Sequence, residues 1–302
     1  MSFRFAHCES VFEGLRRIAC EQIDKAVVEL SDGTVDRHTS VHQFRKRTKK
    51  LRGLIRLVRP SLGETYQSEN RWYRDHARKL SRVRDAEALV ETVNDLRKVS
   101  ADRDHELLDQ IQEQFRTRRQ RIAEDWNDLN DMFDDLVDQL QVARGRVRDW
   151  DLNSTGYESL ARGLHKTYSR GQRLHRKLRQ HSSNERLHDW RKRTKYHWYH
   201  MRLLRDVWKP VIKARTKESK RLSKLIGDDH DLAVLRETLL GDPSSFGSLE
   251  QIEHLMGLLQ QRRKMLQRDA GRIGCRIYSE RPNHLVRRIG KYWSAWKRSD
   301  SR

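Results

Sequence analysis

Along most of this chain apolar residues return every third or fourth position, the repeat of an α-helix that buries one face. Val11, Leu15, Ile18, Ile23 and Val27 define a helix over about Val11–Leu30, which stops at Ser31-Asp32-Gly33; glycine there suits a C-terminal cap. Further helices are expected over about His38–Val58 (closed by Pro60), Gly63–Leu80 and Asp85–Val99. One long helix then covers about Asp104–Ala143, with Leu107, Ile111, Phe115, Ile122, Trp126, Leu129, Phe133, Leu136 and Leu140 at helical spacing. Gly145–Gly156 carries the linker signals, Asn153-Ser154-Thr155-Gly156 above all. After it the order repeats: Tyr157–Leu178, Asn184–Trp208 before Pro210, Lys213–Ile226, Asp231–Leu240 before Gly241-Asp242-Pro243, a long helix over Leu249–Ile277, and a short basic-aromatic helix over His284–Trp296.

The repetition extends to the residues themselves. Arg-Lys-Arg-Thr-Lys occurs at 45–49 and at 191–195, each time three residues after a histidine, His42 or His188, and the copies lie 146 residues apart. Without gaps at that offset, residues 42–59 and 188–205 share nine identities of eighteen, and the register holds to Asp85/Asp231, Leu89/Leu235, Glu91/Glu237 and Thr92/Thr238. One register over that distance signals an internal duplication. The expected fold is all-α: two pseudo-symmetric antiparallel helical bundles of about four or five helices, residues 1–145 and 150–296, with a basic tail at 297–302.

Composition sharpens this picture. The 302 residues include only 15 Gly and 4 Pro, so helices have few breaking points, and eight Trp, eight Tyr and seven Phe supply core mass. Charged and hydrophobic residues each make up 35%, and 64 Lys+Arg against 43 Asp+Glu leave a net charge of +21. A field of that sign attracts polyanions such as nucleic acid, an anionic membrane or polymeric phosphate. Cys8, Cys20 and Cys275 form no spaced framework, no signal-peptide run opens the chain and no apolar run approaches a membrane span. A cytoplasmic protein is expected.

The cations are arranged. After His42, the positions Arg45, Lys49, Arg52, Arg56 and Arg59 step by three and four, forming one stripe ~27 Å long on a helix. Phe44, Thr48, Leu51, Ile55 and Val58 form the core-facing stripe beside it. In the second copy His188, Arg191, Lys195, Arg202 and Arg205 carry charge, Trp198 stands where Arg52 would, and Trp190, Thr194, His197, Met201 and Leu204 face the core. Both histidines open their helices and can add a hydrogen bond, more strongly when protonated at mildly acid pH. The next helices add Arg71, Arg74, Arg78 and Arg82, and Lys217, Lys220, Arg221 and Lys224. Like charges so spaced destabilise a helix by roughly 0.2–0.5 kcal/mol per pair, so a merely solvated face would intersperse acids. Arg offers a planar fork to two phosphate oxygens and Lys a mobile point charge, so the stripes suit a linear phosphate polymer.

Histidine followed by Arg-Lys-Arg-Thr-Lys on an arginine-rich helix, in both halves of an all-helical chain, resembles the conserved histidine α-helical domain (CHAD) family. Leu80-Ser81-Arg82-Val83-Arg84-Asp85 and Ile226-Gly227-Asp228-Asp229-His230-Asp231 are similar to a second signature of that family, and the resemblance covers roughly residues 5–296. It implies a basic surface or central pore that binds inorganic polyphosphate, with phosphate or sulfate as surrogate anions, often at polyphosphate granules. The family's binding positions fall on His42, Arg45, Lys46, Lys49, Arg52 and Arg56, and on His188, Arg191, Lys192, Lys195 and Arg202. With Arg74, Arg78, Lys220 and Lys224 from the following helices, these are the candidate site residues.

No residue set points to catalysis. Asp228-Asp229-His230-Asp231 looks superficially like a hard-metal site, but only Asp231 has a counterpart, Asp85, and that position fits a helix N-cap or an ion pair to an arginine. His197 and His200 lack a third ligand. The pairs His188-Asp189 and His230-Asp231 lack the companion ligands of a metal phosphohydrolase. Walker, nucleophile-elbow and Glu-x-Glu-x-Lys motifs are absent. The expectation is a non-enzymatic binder without cofactor or metal. Its alternative is an RNA- or DNA-binding protein, for which Arg287-Arg288, Lys291-Tyr292-Trp293 and Trp296-Lys297-Arg298 speak, since single-strand binders interleave aromatic and basic residues.

Overall fold

A computed structural model describes residues 3–123 and 126–299. The described residues are all-α, in eleven helices: α1 (Val11–Ser31), α2 (Arg37–Leu57), α3 (Thr65–Lys79), α4 (Ser81–Arg97), α5 (His105–Ala123), α6 (Trp126–Arg146), α7 (Glu158–Gln180), α8 (Asn184–Leu203), α9 (Lys209–Gly241), α10 (Leu249–Ile277) and α11 (Pro282–Arg298). Local chemistry sets their starts. The Ser10 hydroxyl accepts from the Glu13 N–H while the Glu13 carboxylate accepts from the Ser10 N–H, and Ser248 and Gln251 do the same at α10. Asp36 and Ser183 cap α2 and α8. Pro210 and Pro282 stand in the first turns of α9 and α11, where a missing N–H costs nothing.

Two differences from the sequence pattern stand out. The separate helices expected over Lys213–Ile226 and Asp231–Leu240 are one 33-residue helix, α9. A lone glycine without proline weakens a helix by only about 1 kcal/mol, and α9 passes through Gly227 because buried Asp229 accepts from Arg263 and Gln267 of α10 at 3.0 and 2.8 Å. The long helix expected over 104–143 includes Glu124 and Asp125, which lie outside the described residues, as do the side chains of Ile122, Trp126, Leu129 and, in α4, Arg82. On either side of them, α5 packs on α4 and α6 on α1.

The core stripes are buried as the spacing predicts: Phe44, Thr48, Leu51, Ile55 and Val58 in α2 and just past it, and Trp190, Thr194, His197, Met201 and Leu204 in α8 and just past it. Their apolar members belong to the larger of two apolar clusters, to which α1, α2, α6, α7, α8 and α11 contribute together with parts of α3, α9 and α10. The smaller cluster joins Val90, Val93, Leu96, Leu108, Ile111 and Phe115 to Leu232, Leu235, Leu239, Leu255 and Leu259, so it too draws on both halves of the sequence. Helix α2 packs directly on α8, and α4 on α9. At the α2–α8 crossing Gly53 meets Tyr199: a Cβ at Gly53 would lie 2.9 Å from the tyrosine ring, and His200 Nε2 contacts the Gly53 carbonyl at 3.1 Å. The candidate site lies between α2 and α8 of the larger cluster and α4 and α9 of the smaller one.

Candidate polyanion site

A cavity of about 540 Å³ opens between α2 and α8 on one side and α4 and α9 on the other. Its cations are Arg45, Lys49 and Arg52 of α2, Arg84 of α4, and Arg191, Lys192 and Lys195 of α8. Its carboxylates are Asp85 and Asp231, and His188 and His230 add two imidazoles. Most of these come in pairs 146 residues apart: Arg45/Arg191, Lys49/Lys195, Arg84/His230 and Asp85/Asp231. The first part of each cationic stripe, Arg45, Lys49 and Arg52 in α2 and Arg191 and Lys195 in α8, therefore faces one shared space.

The hydrogen bonding holds these side chains in place without neutralising most of them. Arg45 donates from Nη1 to the Ala77 carbonyl at 2.8 Å, a neutral acceptor, and its Nε has no protein partner. Arg52 donates to the Asn70 amide oxygen at 3.2 Å, again neutral. Arg84 donates to Glu91 at 2.6 Å through Nη2 and leaves buried Nη1 without a protein partner. Arg191 pairs loosely with Asp231 at 3.6 Å, and Lys192 with Asp189 at 2.6 Å. Lys49 and Lys195 have no ion pair among the described residues. The Lys195 ammonium instead stands over the Trp198 ring at 4.6 Å, a cation–π contact that takes the place of the missing Arg52 equivalent.

Cations so crowded perturb one another. Lys49 is open to the cavity but walled by protein, and burial followed by repulsion from Arg45, Arg191 and Lys195 pushes its ammonium down to about 7. Burial, then Arg191 and Arg202, pushes Lys195 down to about 8. Burial raises the Asp231 carboxyl against the pull of Arg191, and it takes His230 down to about 4. His42 and His188 also fall below the ordinary imidazole value, by burial first and then by Arg84 at His42 and by Lys192 and Arg191 at His188. The protonation expected of them at mildly acid pH is thus displaced to lower pH. Nor do they open their helices: α2 begins at Arg37 and α8 at Asn184, which puts both histidines about one turn in. The His188 ring lies 4.6 Å from that of His230, tilted by 45°, and lines the cavity, whereas His42 lies near Arg84 and Glu91 of α4.

The remaining candidates scatter. Arg56 and Arg59 turn away from the cavity into a narrow cleft against α7. Lys46 is exposed and reaches Gln43, and Arg202 lies over the Phe3 and Trp198 rings. Arg74 forms a fork to Asp75, with exposed Arg78 at 3.9 Å from the same carboxylate. Lys224 pairs with Asp228 beside a neighbouring pocket of about 370 Å³, and Lys220 is exposed near Lys195. Residues that the sequence reading passed over include Arg84, His230, Tyr196 and Tyr199. Arg84 and His230 precede the paired Asp85 and Asp231 in the second signature, a position that could have flagged them.

The acidic run of α9 splays as a helix must. Asp228 goes to Lys224, Asp229 to Arg263, and Asp231 to Arg191. Asp231 is an ion-pair residue inside α9 and Asp85 is interior to α4, so the N-cap alternative is corrected for both. Among the described residues no group of three His, Cys, Asp or Glu side chains could hold a metal ion. His197 is buried between Tyr168 and Tyr278, and His200 under Gly53.

The family profile described as CHAD domain matches residues 17–240, from α1 to the end of α9, and so contains every element that lines the cavity. The chain belongs to the CHAD family. In this CHAD chain, α10 and α11 lie beyond the matched span. No curated protein matches the sequence.

Proposed function

We propose that the protein binds inorganic polyphosphate in the cavity between α2 and α8, without catalysis. The carrying observation is that Arg45 and Lys49 face Arg191 and Lys195 across one space in which seven cations outnumber the two carboxylates. The CHAD family is associated with polyphosphate binding, in keeping with this reading. Arginines tethered to neutral acceptors keep N–H groups for a phosphate oxygen, and their fixed planes avoid the ordering cost of free side chains. In this reading the charges of Lys49 and Lys195 serve binding. Among the described residues no helix is long and apolar enough to cross a membrane. The proposed setting is the cytoplasm, at polyphosphate granules.

Nucleic acid is the competing ligand class, and Tyr196 and Tyr199 in the cavity wall are what favour it. The Tyr196 ring, however, carries the Arg56 guanidinium at 4.3 Å, and Tyr199 is buried against Trp198. The aromatics of α11 are occupied as well. Trp293 packs on Phe5 and Tyr157, Trp296 on His7, and Tyr292 on Trp208, while Arg288 pairs with Glu280. Calorimetric titration across polyphosphate lengths and salt concentrations tests the proposal: affinity should rise with chain length and fall steeply with salt. If long-chain polyphosphate fails to displace single-stranded RNA at equal phosphate concentration, the ligand is nucleic acid.

A further inference from the structure

A second cationic cluster lies behind the wall of the cavity. Arg56 and Arg59, at and just past the end of α2, meet Lys166 and Arg170 of α7 and Arg193 of α8 around a narrow cleft lined also by Gly163 and Thr167. None of these five cations has a carboxylate within ion-pair distance among the described residues. Asp189, the acid that acts on Arg193 through space, is paired to Lys192. Arg170 and Arg193 are both held below the ordinary arginine value, by burial first and then by the neighbouring arginines. Repulsion of this kind is tolerated where a bound anion relieves it.

The chain is built to bring these groups together. A Cβ at Gly163 would lie 1.8 Å from the Leu57 carbonyl, so only glycine lets α7 approach the end of α2 closely enough. From 159 to 184 the sequence has no acidic residue, and Lys166, Arg170, Arg173 and Lys177 step by four, three and four along one face of α7. The positions 146 residues earlier are Cys20, Asp24, Val27 and Ser31, so the repeat does not account for this stripe. It is also contiguous with the cavity. Arg52, in the cavity, and Arg56, in the cleft, are one helical turn apart and share Asn70 as acceptor, while Tyr196 lines the cavity and supports Arg56 on its ring.

We propose that Arg56, Arg59, Lys166, Arg170 and Arg193 form a second phosphate-binding site, occupied by the same polyphosphate chain once it is long enough to leave the cavity past Arg52. This rests on the cavity reading above, and makes the protein a discriminator of chain length. Short chains occupy the cavity alone, and long chains engage cavity and cleft together, the second contact being favoured by effective concentration.

The test titrates tripolyphosphate and long-chain polyphosphate into the wild type, Lys166→Glu/Arg170→Glu, Arg45→Glu/Arg191→Glu, and Arg176→Glu/Arg179→Glu. The last pair makes the same charge change on another face of α7. We expect the Lys166/Arg170 variant to lose roughly tenfold or more in long-chain affinity, with tripolyphosphate binding within about twofold of wild type and an unchanged melting temperature. The Arg176/Arg179 variant should bind both as wild type does. Long-chain affinity unchanged in the Lys166/Arg170 variant overturns the second site and leaves the cavity standing. Equal losses in the Lys166/Arg170 and Arg176/Arg179 variants overturn it too, by showing a general field. Full binding of both ligands by Arg45→Glu/Arg191→Glu would sink the cavity reading instead, and a selective loss in the Lys166/Arg170 variant would then leave the cleft as the site.

Discussion

Helices α2 and α8 begin as one sequence and end with different tasks. Over their first turns the copies agree: Phe44 and Trp190 are buried at equivalent positions, Arg45 and Arg191 enter the cavity, and Lys49 and Lys195 follow. They then part. Arg47 forks onto Glu29 of α1, while its counterpart Arg193 faces Arg56 and Arg170 with no carboxylate to hold it. Arg52 keeps to the cavity, and Trp198 in its place supports Lys195. Arg56 lies on Tyr196 in the cleft, whereas Arg202 lies over Phe3. Identical residues thus acquire different electrostatic roles because the helix packed behind each copy differs: α1, which supplies Glu29, behind one, and α7, which carries no acid after its first residue Glu158, behind the other.

The comparison can be broken most forcefully in the core. Phe44→Ala and Trp190→Ala should each destabilise the fold by about 3–5 kcal/mol, since both side chains are nearly inaccessible. Denaturant titration checks this, and a mild effect at either position would show that the copies are not equivalent even where they agree. Next in size is ligand affinity. Arg45→Gln and Arg191→Gln should each weaken long-chain polyphosphate binding by roughly ten- to a hundredfold, the worth of a charge-assisted hydrogen bond of about 1.5–3 kcal/mol. Arg191 is partly engaged by Asp231, so its loss should be the smaller of the two in calorimetry.

How much of this was legible in the sequence follows from where each effect originates. The buried stripes at 44, 48, 51, 55 and 58 and at 190, 194, 197, 201 and 204 are periodic, and the period alone places them. Arg45, Lys49, Arg191 and Lys195 were legible because the repeat marks them twice. The split of the α2 stripe between Arg52 and Arg56 was not. Both arginines donate to Asn70 of α3, and it is the Tyr196 ring of α8, under Arg56 alone, that separates them. Arg84 and His230 were passed over because the cavity face of α4 and α9 mixes signs and carries no stripe. The continuity of α9 was hidden as well, since Asp229 is held by residues more than thirty positions away.

A smaller effect separates the two lysines. Lys49 is pushed down to about 7 and Lys195 to about 8, so polyphosphate affinity should fall several-fold as pH rises from about 6 to about 9, each ammonium losing its proton in turn. Near pH 7.5, calorimetry in buffers of different ionisation enthalpy should show net proton uptake on binding. Lys49→Arg should flatten the lower part of the profile and Lys195→Arg the upper. The free protein should behave oppositely. Between about 7 and the ordinary 10.5, the unfolded Lys49 holds a proton that the folded one has released, so this group adds stability as pH rises through that window. The smallest difference is at Arg47 and Arg193. Arg47→Gln should cost about 1 kcal/mol or less in stability through its partly exposed pair with Glu29, and Arg193→Gln should leave stability unchanged or slightly raised in the same denaturation assay.

The crossing of α2 and α8 at Gly53 and Tyr199 has a consequence for how such a chain can be assembled. The two positions are 146 residues apart, so they are equivalent positions of the sequence repeat, in contact with each other. Two copies of the second half crossing in this way would set tyrosine ring against tyrosine ring, and two copies of the first half would set bare backbone against bare backbone over a void. Neither half is self-complementary, but each fits the other. Joining them in one polypeptide fixes the partnership at one to one, and the divergence at this contact makes a return to separate identical subunits unfavourable.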